Sequence, residues 1–309
     1  MDQRLALDGR AAGMMVLLCF LWGLQQVVLK GTADDVPPVL MLALRSGIAA
    51  VLVGLLMWVR REGWAPGCSR AGAVVGALFA VEFLLVGEAL RHTSAAHTVV
   101  LLYTAPIFAA MGLHWKLPAE RLSGVQWLGI GLAFGGVAVT FLGRAGDTAD
   151  TFLGDAMAVL AGVAWGATTV AVRVSRLSQA PVSQTLLYQL AAAFVLLTAA
   201  ALVSGQASFN PTPRAWSSLA FHALIVSFAS FLAWFWLLRT YLASRLGVFS
   251  FLTPLFGVGL GALLLGETIE PGFALGTALV VAGIAVVSAH GWIAVMLARY
   301  QTRRLPDQA

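Results

Sequence analysis

Charge is scarce in this sequence. Asp, Glu, Lys and Arg make up 11% of its 309 residues, whereas soluble domains carry about 25%. Hydrophobic residues make up 60%. Such a chain cannot cover itself with polar surface, so we expect its solvent to be lipid. In a soluble protein, a net charge of +5 would suggest a nucleic-acid partner. Here the arginines lie between apolar runs, where basic residues set the orientation of a membrane protein, so we expect no nucleic-acid partner.

Residues for metal or nucleotide chemistry are also few. The two cysteines, Cys19 in an apolar run and Cys68 in a basic loop, predict neither a disulfide framework nor a metal cluster. Neither Lys30 nor Lys116 lies in a Gly-x-x-x-x-Gly-Lys-Ser/Thr loop, so the chain has no P-loop for ATP. The His-Glu-x-x-His, Gly-x-Gly-Asp and Gly-x-Ser-x-Gly motifs are also missing. We therefore expect no cofactor, no metal and no enzymatic activity.

Long apolar runs fill most of the chain instead. Each run is close to the ~20 residues that a helix needs to cross about 30 Å of hydrocarbon. The connections are short and carry Pro, Asp and Asn, which favour turns. The sequence therefore predicts an all-α polytopic membrane protein with ten transmembrane helices. The runs are 13–30, 38–58, 71–90, 95–114, 124–142, 152–172, 183–204, 216–238, 244–264 and 271–292.

The basic residues are distributed unevenly among the connections. If the N-terminus is cytoplasmic, 14 of the 19 Lys and Arg residues fall in cytoplasmic segments and four fall outside, while Arg45 lies within a span. Cytoplasmic loops of membrane proteins carry an excess of Lys and Arg. The asymmetry therefore predicts that both termini are cytoplasmic, which requires an even number of spans.

The two halves of the chain repeat each other. Residues 21–23 (Leu-Trp-Gly) recur as 164–166 (Ala-Trp-Gly), 143 positions later, and Pro106 recurs as Pro254, 148 positions later. A small drift over five helices fits loop changes in a duplicated unit. Five spans are an odd number, so the second unit is predicted to lie inverted relative to the first, as in many secondary transporters. The predicted segments are a cytoplasmic N-terminus (1–12), the first repeat (13–142), a linker (143–151), the second repeat (152–292) and a cytoplasmic tail (293–309).

These features together resemble a known family. The Trp-Gly pair in the first helix of each unit, a proline in the fourth and a glutamate opening the fifth (Glu120, Glu267) are similar to the EamA-type branch of the drug/metabolite transporter superfamily. Within it, the sequence resembles the YddG-type exporters of aromatic and neutral amino acids. The resemblance implies a secondary transporter of a bacterial inner membrane that moves an amino acid or related metabolite by alternating access.

Polar side chains follow Trp22 and Trp165 at helical spacing. Residues three and four positions apart are neighbours on one helical face. The faces predict a cavity near the midplane that both repeats line, and interhelical packing is the alternative. The candidate substrate-binding residues are Trp22, Gln25, Gln26, Tyr103, Trp165, Thr169, Trp234 and Ser250.

Four titratable residues in the predicted spans are candidates for the transport path or its coupling: Arg45, Glu82, Glu88 and His97. Charge in hydrocarbon is costly and often marks a pathway. Arg45 and Glu82 lie at similar predicted depth, so we expect an ion pair or a shared network. In it, Arg45 attracts a substrate carboxylate, and Glu82 receives the amino group or exchanges a proton as the site alternates. A purely structural pair is the alternative. Glu88 and His97 lie nearer the outer end, where an interfacial position is the alternative.

Proline, acidic and glycine residues carry further expectations. Pro106 and Pro254 are expected to bend spans four and nine near their middle. Asp155 is predicted to cap the sixth span, and Glu120 and Glu267 to stabilise the starts of helices five and ten. Glycines four positions apart predict close helix contacts. These pairs are Gly72 with Gly76, Gly131 with Gly135, Gly257 with Gly261, and Gly272 with Gly276.

Other functional classes are compatible with an apolar helical chain. A channel or a signalling receptor is the first alternative to a carrier, and an intramembrane enzyme is the second. Saturable flux would distinguish a carrier from a channel. The predicted partners are a small-molecule substrate and the lipid bilayer, and the residues indicate neither the coupling ion nor the oligomeric state.

Overall fold

The computed structural model describes residues 8–118, 121–142, 149–241, 249 and 252–286. Predictions for Glu120, Ser250, the C-terminal tail and most of the linker therefore lie outside the described residues. The regular elements of the described chain are helices. They are α1 (Gly9–Gly31), α2 (Pro38–Val59), α3 (Ser69–His92), α4 (Ala95–Leu102), α5 (Ala105–Lys116), α6 (Gly124–Leu142), α7 (Ala149–Val174), α8 (Val182–Val203), α9 (Pro213–Ala220), α10 (Phe231–Thr240), α11 (Leu252–Leu265) and α12 (Pro271–Val286).

These helices are those of a multi-pass membrane protein. Within the described chain, seven stretches are long and apolar enough to cross a bilayer, and three shorter apolar helices cover 124–139, 252–265 and 271–286. A backbone in hydrocarbon must satisfy its own hydrogen bonds, which a helix does without help from neighbours. The predicted all-helical membrane class is therefore confirmed.

The fourth predicted span is interrupted near its middle. α4 ends at Leu102, two residues form a turn, and α5 starts at Ala105. Pro106 therefore lies in the first turn of α5, where its missing N–H leaves no helical bond unmade. The Thr104 hydroxyl donates to the Leu101 carbonyl at 2.6 Å, which satisfies part of the broken backbone. Pro254 likewise lies in the first turn of α11.

The eighth predicted span changes its helical geometry. α9 continues into a π-helical segment, Phe221–Ser230, and then into α10. π-Helical turns inside helices are rare and often lie at functional sites. The sequence predicted one continuous span here, because local composition does not distinguish a π-helical turn from an α-helical one.

Equivalent glycines join the two halves through equivalent contacts. A Cβ built on Gly23 of α1 would lie 2.8 Å from the backbone nitrogen of Gly257 of α11. A Cβ built on Gly166 of α7 would lie 2.9 Å from that of Ala109 of α5. Gly166 corresponds to Gly23, and Gly257 to Ala109, at the sequence offsets of 143 and 148. The first helix of each half therefore packs against the fourth predicted span of the other.

A reciprocal contact joins α6 and α12. A Cβ on Gly129 would lie 3.0 Å from the Gly283 carbonyl oxygen, and a Cβ on Gly136 would lie 2.6 Å from that of Gly276. Gly276 and Gly283 are the equivalents of Gly129 and Gly136, at an offset of 147. The paired numbers run in opposite directions, so the two helices are antiparallel.

The glycine predictions have mixed outcomes. Gly72 and Gly76 meet α8 closely at Tyr188, as predicted. Gly257 packs closely against Val99 of α4, whereas the nearest neighbour of Gly261 is the Glu267 side chain in the connection after α11. The prediction for Gly131 and Gly135 is wrong, because a Cβ on either would meet nothing within 4 Å. Gly129 and Gly136 make the contact instead, on another face of α6.

Adjacent glycines of α6 provide a test of this packing. We expect Gly136→Ala to destabilise the purified protein by about 1–3 kcal/mol, as overpacking does, because its methyl group meets the backbone of α12. We expect Gly135→Ala to leave stability equal or slightly higher, because alanine favours a helix. Thermal midpoints of the two variants in detergent measure the difference, and equal midpoints would contradict the α6–α12 contact.

Candidate functional site

A buried arginine lies at the centre of the candidate site. Arg45 on α2 is 1% exposed. Its Nη1 donates to the Gln25 side-chain oxygen of α1 at 2.9 Å, and its guanidinium lies 4.4 Å from the centre of the Phe83 ring. Its Nε has no hydrogen-bond partner among the described residues. The buried Nε–H of Arg45 is therefore a free hydrogen-bond donor within the described chain, and leaving it unpaired raises the free energy of the folded protein.

A buried carboxyl group lies on the neighbouring helix. Glu82 on α3 is 5% exposed, and its Oε2 has no hydrogen-bond partner within the described part of the chain. Arg45 and Glu82 attract each other electrostatically, yet no direct ion pair joins these two described side chains. Arg45 instead binds Gln25, so the two groups keep unfilled hydrogen-bonding capacity.

Two aromatic pairs lie on the elements that hold this site. Trp22 meets Trp234 edge to face, with ring centroids 5.8 Å apart, and its Nε1 donates to the Ser230 hydroxyl at 3.0 Å. Tyr103, in the break between α4 and α5, meets Trp165 edge to face at 5.2 Å. Trp22 and Trp165 occupy equivalent positions in the two repeats, so the equivalent tryptophan of each half belongs to an aromatic pair.

Other predicted lining residues are placed differently. Gln26 is buried, and its Oε1 has no partner in the described residues. Thr169 is exposed and donates to the Trp165 carbonyl of its own helix at 3.1 Å. A cavity of about 740 Å³ lies elsewhere, between the end of α2 and α8, with Trp58, Trp64 and Leu187 in its wall. A shared cavity between the repeats stays a prediction.

His97 and Asp155 form a buried pair. His97 of α4 is 7% exposed, and Asp155 of α7 is 0% exposed. The Nδ1 of His97 lies 3.1 Å from Asp155 Oδ2, and the Thr93 hydroxyl donates to Asp155 Oδ1 at 2.7 Å. Asp155 lies in the second turn of α7, and its carboxylate meets Thr93 and His97 rather than the start of its own helix, where the sequence predicted a cap.

Glu267 also binds the start of α4. Its two carboxylate oxygens accept the backbone N–H groups of Ala95 and Ala96 at 2.7 and 2.9 Å. It therefore caps α4 of the first half, whereas the sequence predicted that it stabilises the helix that follows it. Lys30 of α1 donates to the carbonyls of Leu90 and Thr93 in the same turn. We call Lys30, Asp155 and Glu267, with the turn 93–97 that they hold, the α3–α4 clasp.

Glu88 lies outside the central site. It is half-buried, accepts from Arg91 at 2.7 Å and from the Gln206 amide at 2.6 Å. Both partners lie near helix ends, so Glu88 links α3 to the segment after α8. The structure therefore brings Gln25, Arg45 and Glu82 together, and it places Glu88 and His97 away from them.

The sequence analysis missed one residue of this network. His222, in the π-helical segment, is 0% exposed. Its Nε2 lies 3.1 Å from the Gln25 carbonyl oxygen, and its Nδ1 lies 2.8 Å from the Ser218 carbonyl oxygen. The available signal was a histidine inside the apolar run 216–238. The repeat pattern did not point to His222, because the first half has no histidine at the equivalent position.

Known proteins that resemble this chain are transporters or uncharacterised proteins. The model of the EamA-like transporter family matches it twice, over residues 9–142 and 152–289. It is 24% identical to "Uncharacterized transporter YoaV" of Bacillus subtilis, over 87% of this chain and 94% of that one. It is 30% identical to "Uncharacterized protein PA1977" of Pseudomonas aeruginosa, over 85% and 88%.

A relative from Escherichia coli K12, "Uncharacterized inner membrane transporter YedA", is 24% identical over 84% of both chains. A solved structure described as "Crystal structure of protein" is similar with a TM-score of 0.63 and 21% identity, over 97% of this chain and 99% of that one. That likeness shows the fold alone.

The clasp provides a second test. We expect Glu267→Gln to lower the stability of the protein by about 1–3 kcal/mol, because a carboxamide cannot accept both N–H groups as a charged carboxylate does. Glu270→Gln is the matched control, since Glu270 is exposed in the same connection. Thermal midpoints in detergent measure both. Equal effects of the two substitutions would argue against the cap on α4.

Proposed function

Because this chain belongs to the EamA-like transporter family, we propose that it is a secondary transporter that exports amino acids or related zwitterionic metabolites by alternating access. The family and its relatives indicate a membrane transporter rather than an enzyme. The inner membrane of a bacterium is the proposed location, by analogy with the E. coli relative that is named an inner membrane transporter.

The unfilled hydrogen-bonding groups of Arg45 and Glu82 carry the proposal for the substrate. A buried polar atom without a partner costs about 1–3 kcal/mol, so a ligand that fills both positions gains that free energy on binding. A carboxylate matches the guanidinium of Arg45, and an ammonium group matches the carboxylate of Glu82. An α-amino acid carries both groups on one carbon atom.

The aromatic pairs support an apolar or aromatic side chain on that substrate. Trp22 and Trp234 form one edge-to-face pair, and Tyr103 and Trp165 form the other. Aromatic rings bind apolar groups through large, rigid surfaces. Since the fourth span is broken beside Tyr103, backbone carbonyls near this pair are also available to a ligand.

The helix contacts support ten spans in two inverted repeats. The seven long and three shorter apolar helices correspond in order to the ten predicted runs. α6 and α12 pack antiparallel, and α1 and α11 pack parallel, because Gly23 meets Gly257 while Gly31 meets Leu265. Both directions are those expected if repeats 13–142 and 152–292 are related by an axis in the membrane plane.

The α3–α4 clasp has the properties of a closed gate in such a transporter. Its carboxylates come from the second half of the chain, and they hold a turn of the first half. We therefore propose that its release accompanies opening at this end of the bundle. The symmetric glycine contacts then act as pivots that persist while the two ends alternate.

Topology provides a third test. We expect reporter fusions at both termini to be cytoplasmic, so that green fluorescent protein is fluorescent and alkaline phosphatase is inactive at each end. A fusion after Asp34 is the opposite-face control, since the first span ends just before it, and it should show the reverse pattern. A periplasmic terminus would contradict the inverted ten-span arrangement.

Transport itself is the fourth test. Liposomes that contain the purified protein should take up radiolabelled amino acids, and the flux should saturate with concentration. Testing all twenty amino acids identifies the solutes. Arg45→Gln and Glu82→Gln should each reduce apparent affinity for these solutes by about tenfold or more, because each loses one charge-assisted bond. Arg60→Gln, at the exposed end of α2, should leave flux unchanged.

The double variant separates binding from structure. Replacing both Arg45 and Glu82 by Gln removes both charges, so recovery of folded yield and flux relative to the single variants would indicate a purely structural pair. The proposal expects no recovery of flux. Flux that rises without saturation would instead favour a channel.

A further inference from the structure

His222 lies at one end of a hydrogen-bonded chain that reaches the proposed substrate site. Its Nε2 faces the Gln25 carbonyl oxygen at 3.1 Å, and the Gln25 side chain accepts from Arg45 at 2.9 Å. Gln25 thus contacts both the imidazole of the second half and the guanidinium of the first. The proposed function does not use this histidine.

The groups around His222 can satisfy two protonation states. In the neutral state, Nε2–H donates to the Gln25 carbonyl. The Nδ1 lone pair then lies 2.8 Å from the Ser218 carbonyl oxygen, so among the described groups only the Ser218 hydroxyl, 3.4 Å away, can donate to it. In the protonated state, Nδ1–H donates to the Ser218 carbonyl at 2.8 Å. The Ser218 hydroxyl then turns to Thr32 Oγ1, 3.2 Å away. Rotation of one hydroxyl therefore accommodates the added proton.

On the helices that pack against the π-helical segment, the charged side chains that the structure describes are all positive. The segment packs against α1, α2, α9 and α10. The charged side chains described on those elements are Arg10, Lys30, Arg45 and Arg214, and no carboxylate occurs among the described residues of these four helices. Lys30 and Arg214 bind backbone carbonyls, and Arg45 is the cation that acts on His222. A proton on His222 therefore lacks a counter-ion from these helices, and a bound anion could supply one.

We infer that His222 is a proton-binding site, and that a carboxylate bound at Arg45 and a proton bound at His222 are carried together. The inference rests on the proposed function and names its coupling ion. A substrate carboxylate neutralises Arg45 and reduces its repulsion of a protonated imidazole. Thermodynamic linkage then requires the proton to favour carboxylate binding by the same factor.

The linkage fixes the direction of coupling. Solute and proton bind in the same state of the protein and cross the membrane in the same direction. Solute that leaves a cell down its own gradient would take a proton with it. Net export then requires an outward solute gradient that exceeds the inward proton gradient.

Proton movement during transport tests the inference. Liposomes with purified protein and a pH-sensitive dye inside receive an equimolar, radiolabelled mixture of the twenty amino acids outside, with no initial pH gradient and with ionophore-clamped voltage. We expect solute uptake to acidify the lumen with about one proton per solute. In His222→Gln, the number of protons that enter per labelled solute should fall from about one to near zero. His92→Gln, on the half-buried pair with Asp150, should retain the wild-type ratio.

A second variant protects the test against misfolding of His222→Gln. Ser218→Ala removes the hydroxyl that donates to neutral Nδ1, so protonation of His222 becomes easier. The solute concentration that gives half-maximal flux should then begin to fall at a higher pH than in the wild type. In the wild type, the solute concentration that gives half-maximal flux should fall as pH falls, by up to about tenfold per pH unit.

The outcomes are distinguishable. Labelled flux without acidification, or acidification that persists in His222→Gln, overturns the proton site and leaves the transporter intact. An unchanged pH profile in Ser218→Ala overturns the two-state network. Absence of labelled flux for every amino acid overturns the proposed function and, with it, the coupling.

Discussion

The hydrocarbon core contains no water, so every polar group inside this bundle must find its partner in the protein or in a ligand. That constraint explains both the satisfied and the unsatisfied groups of the structure. Lys30, Asp155 and Glu267 bind donors and acceptors around one turn. Arg45 and Glu82 each retain an atom with no partner among the described residues. The proposed substrate site differs in this respect from the α3–α4 clasp.

The same constraint governs where the backbone leaves the α-helical form. The turn between α3 and α4 has free amides at the start of α4, and carboxylate oxygens of Glu267 accept two of them. The π-helical segment opens the backbone of span eight at His222, which meets carbonyls on two elements. Side chains supply the missing bonds in both places: Glu267 of the other half accepts amides of α4, and His222 meets the Ser218 carbonyl one turn earlier.

Much of this architecture could be predicted from the sequence because it depends on local composition. The apolar runs predicted the helices. The offset of 143 between Trp22 and Trp165 predicted equivalent positions in the two halves, and the neighbouring Gly23 and Gly166 make equivalent helix contacts. Arg45 and Glu82 were predicted to lie inside spans two and three and to share a network or face water. The structure places them in α2 and α3 and buries both. Their roles in transport stay predictions.

The rest depends on which helices are neighbours, and that is a tertiary property. Glu267 caps a helix 172 residues away in sequence, and Asp155 meets Thr93 and His97, which are 62 and 58 residues away. Gly131 and Gly135 have the spacing of a contact face but lie on the wrong side of α6. Spacing defines a face of a helix without defining what that face meets, so the partner of each face had to come from the structure.

The α6–α12 contact is self-complementary, since Gly129 meets Gly283 while their equivalents, Gly136 and Gly276, meet each other. An interface of this kind is isologous: the same patch serves on both sides. A contact of this kind is the one that two identical units make when they are related by a two-fold axis. This single chain contains both sides of such a contact, so residues away from it, such as His222, can differ between the halves while α6 and α12 stay paired.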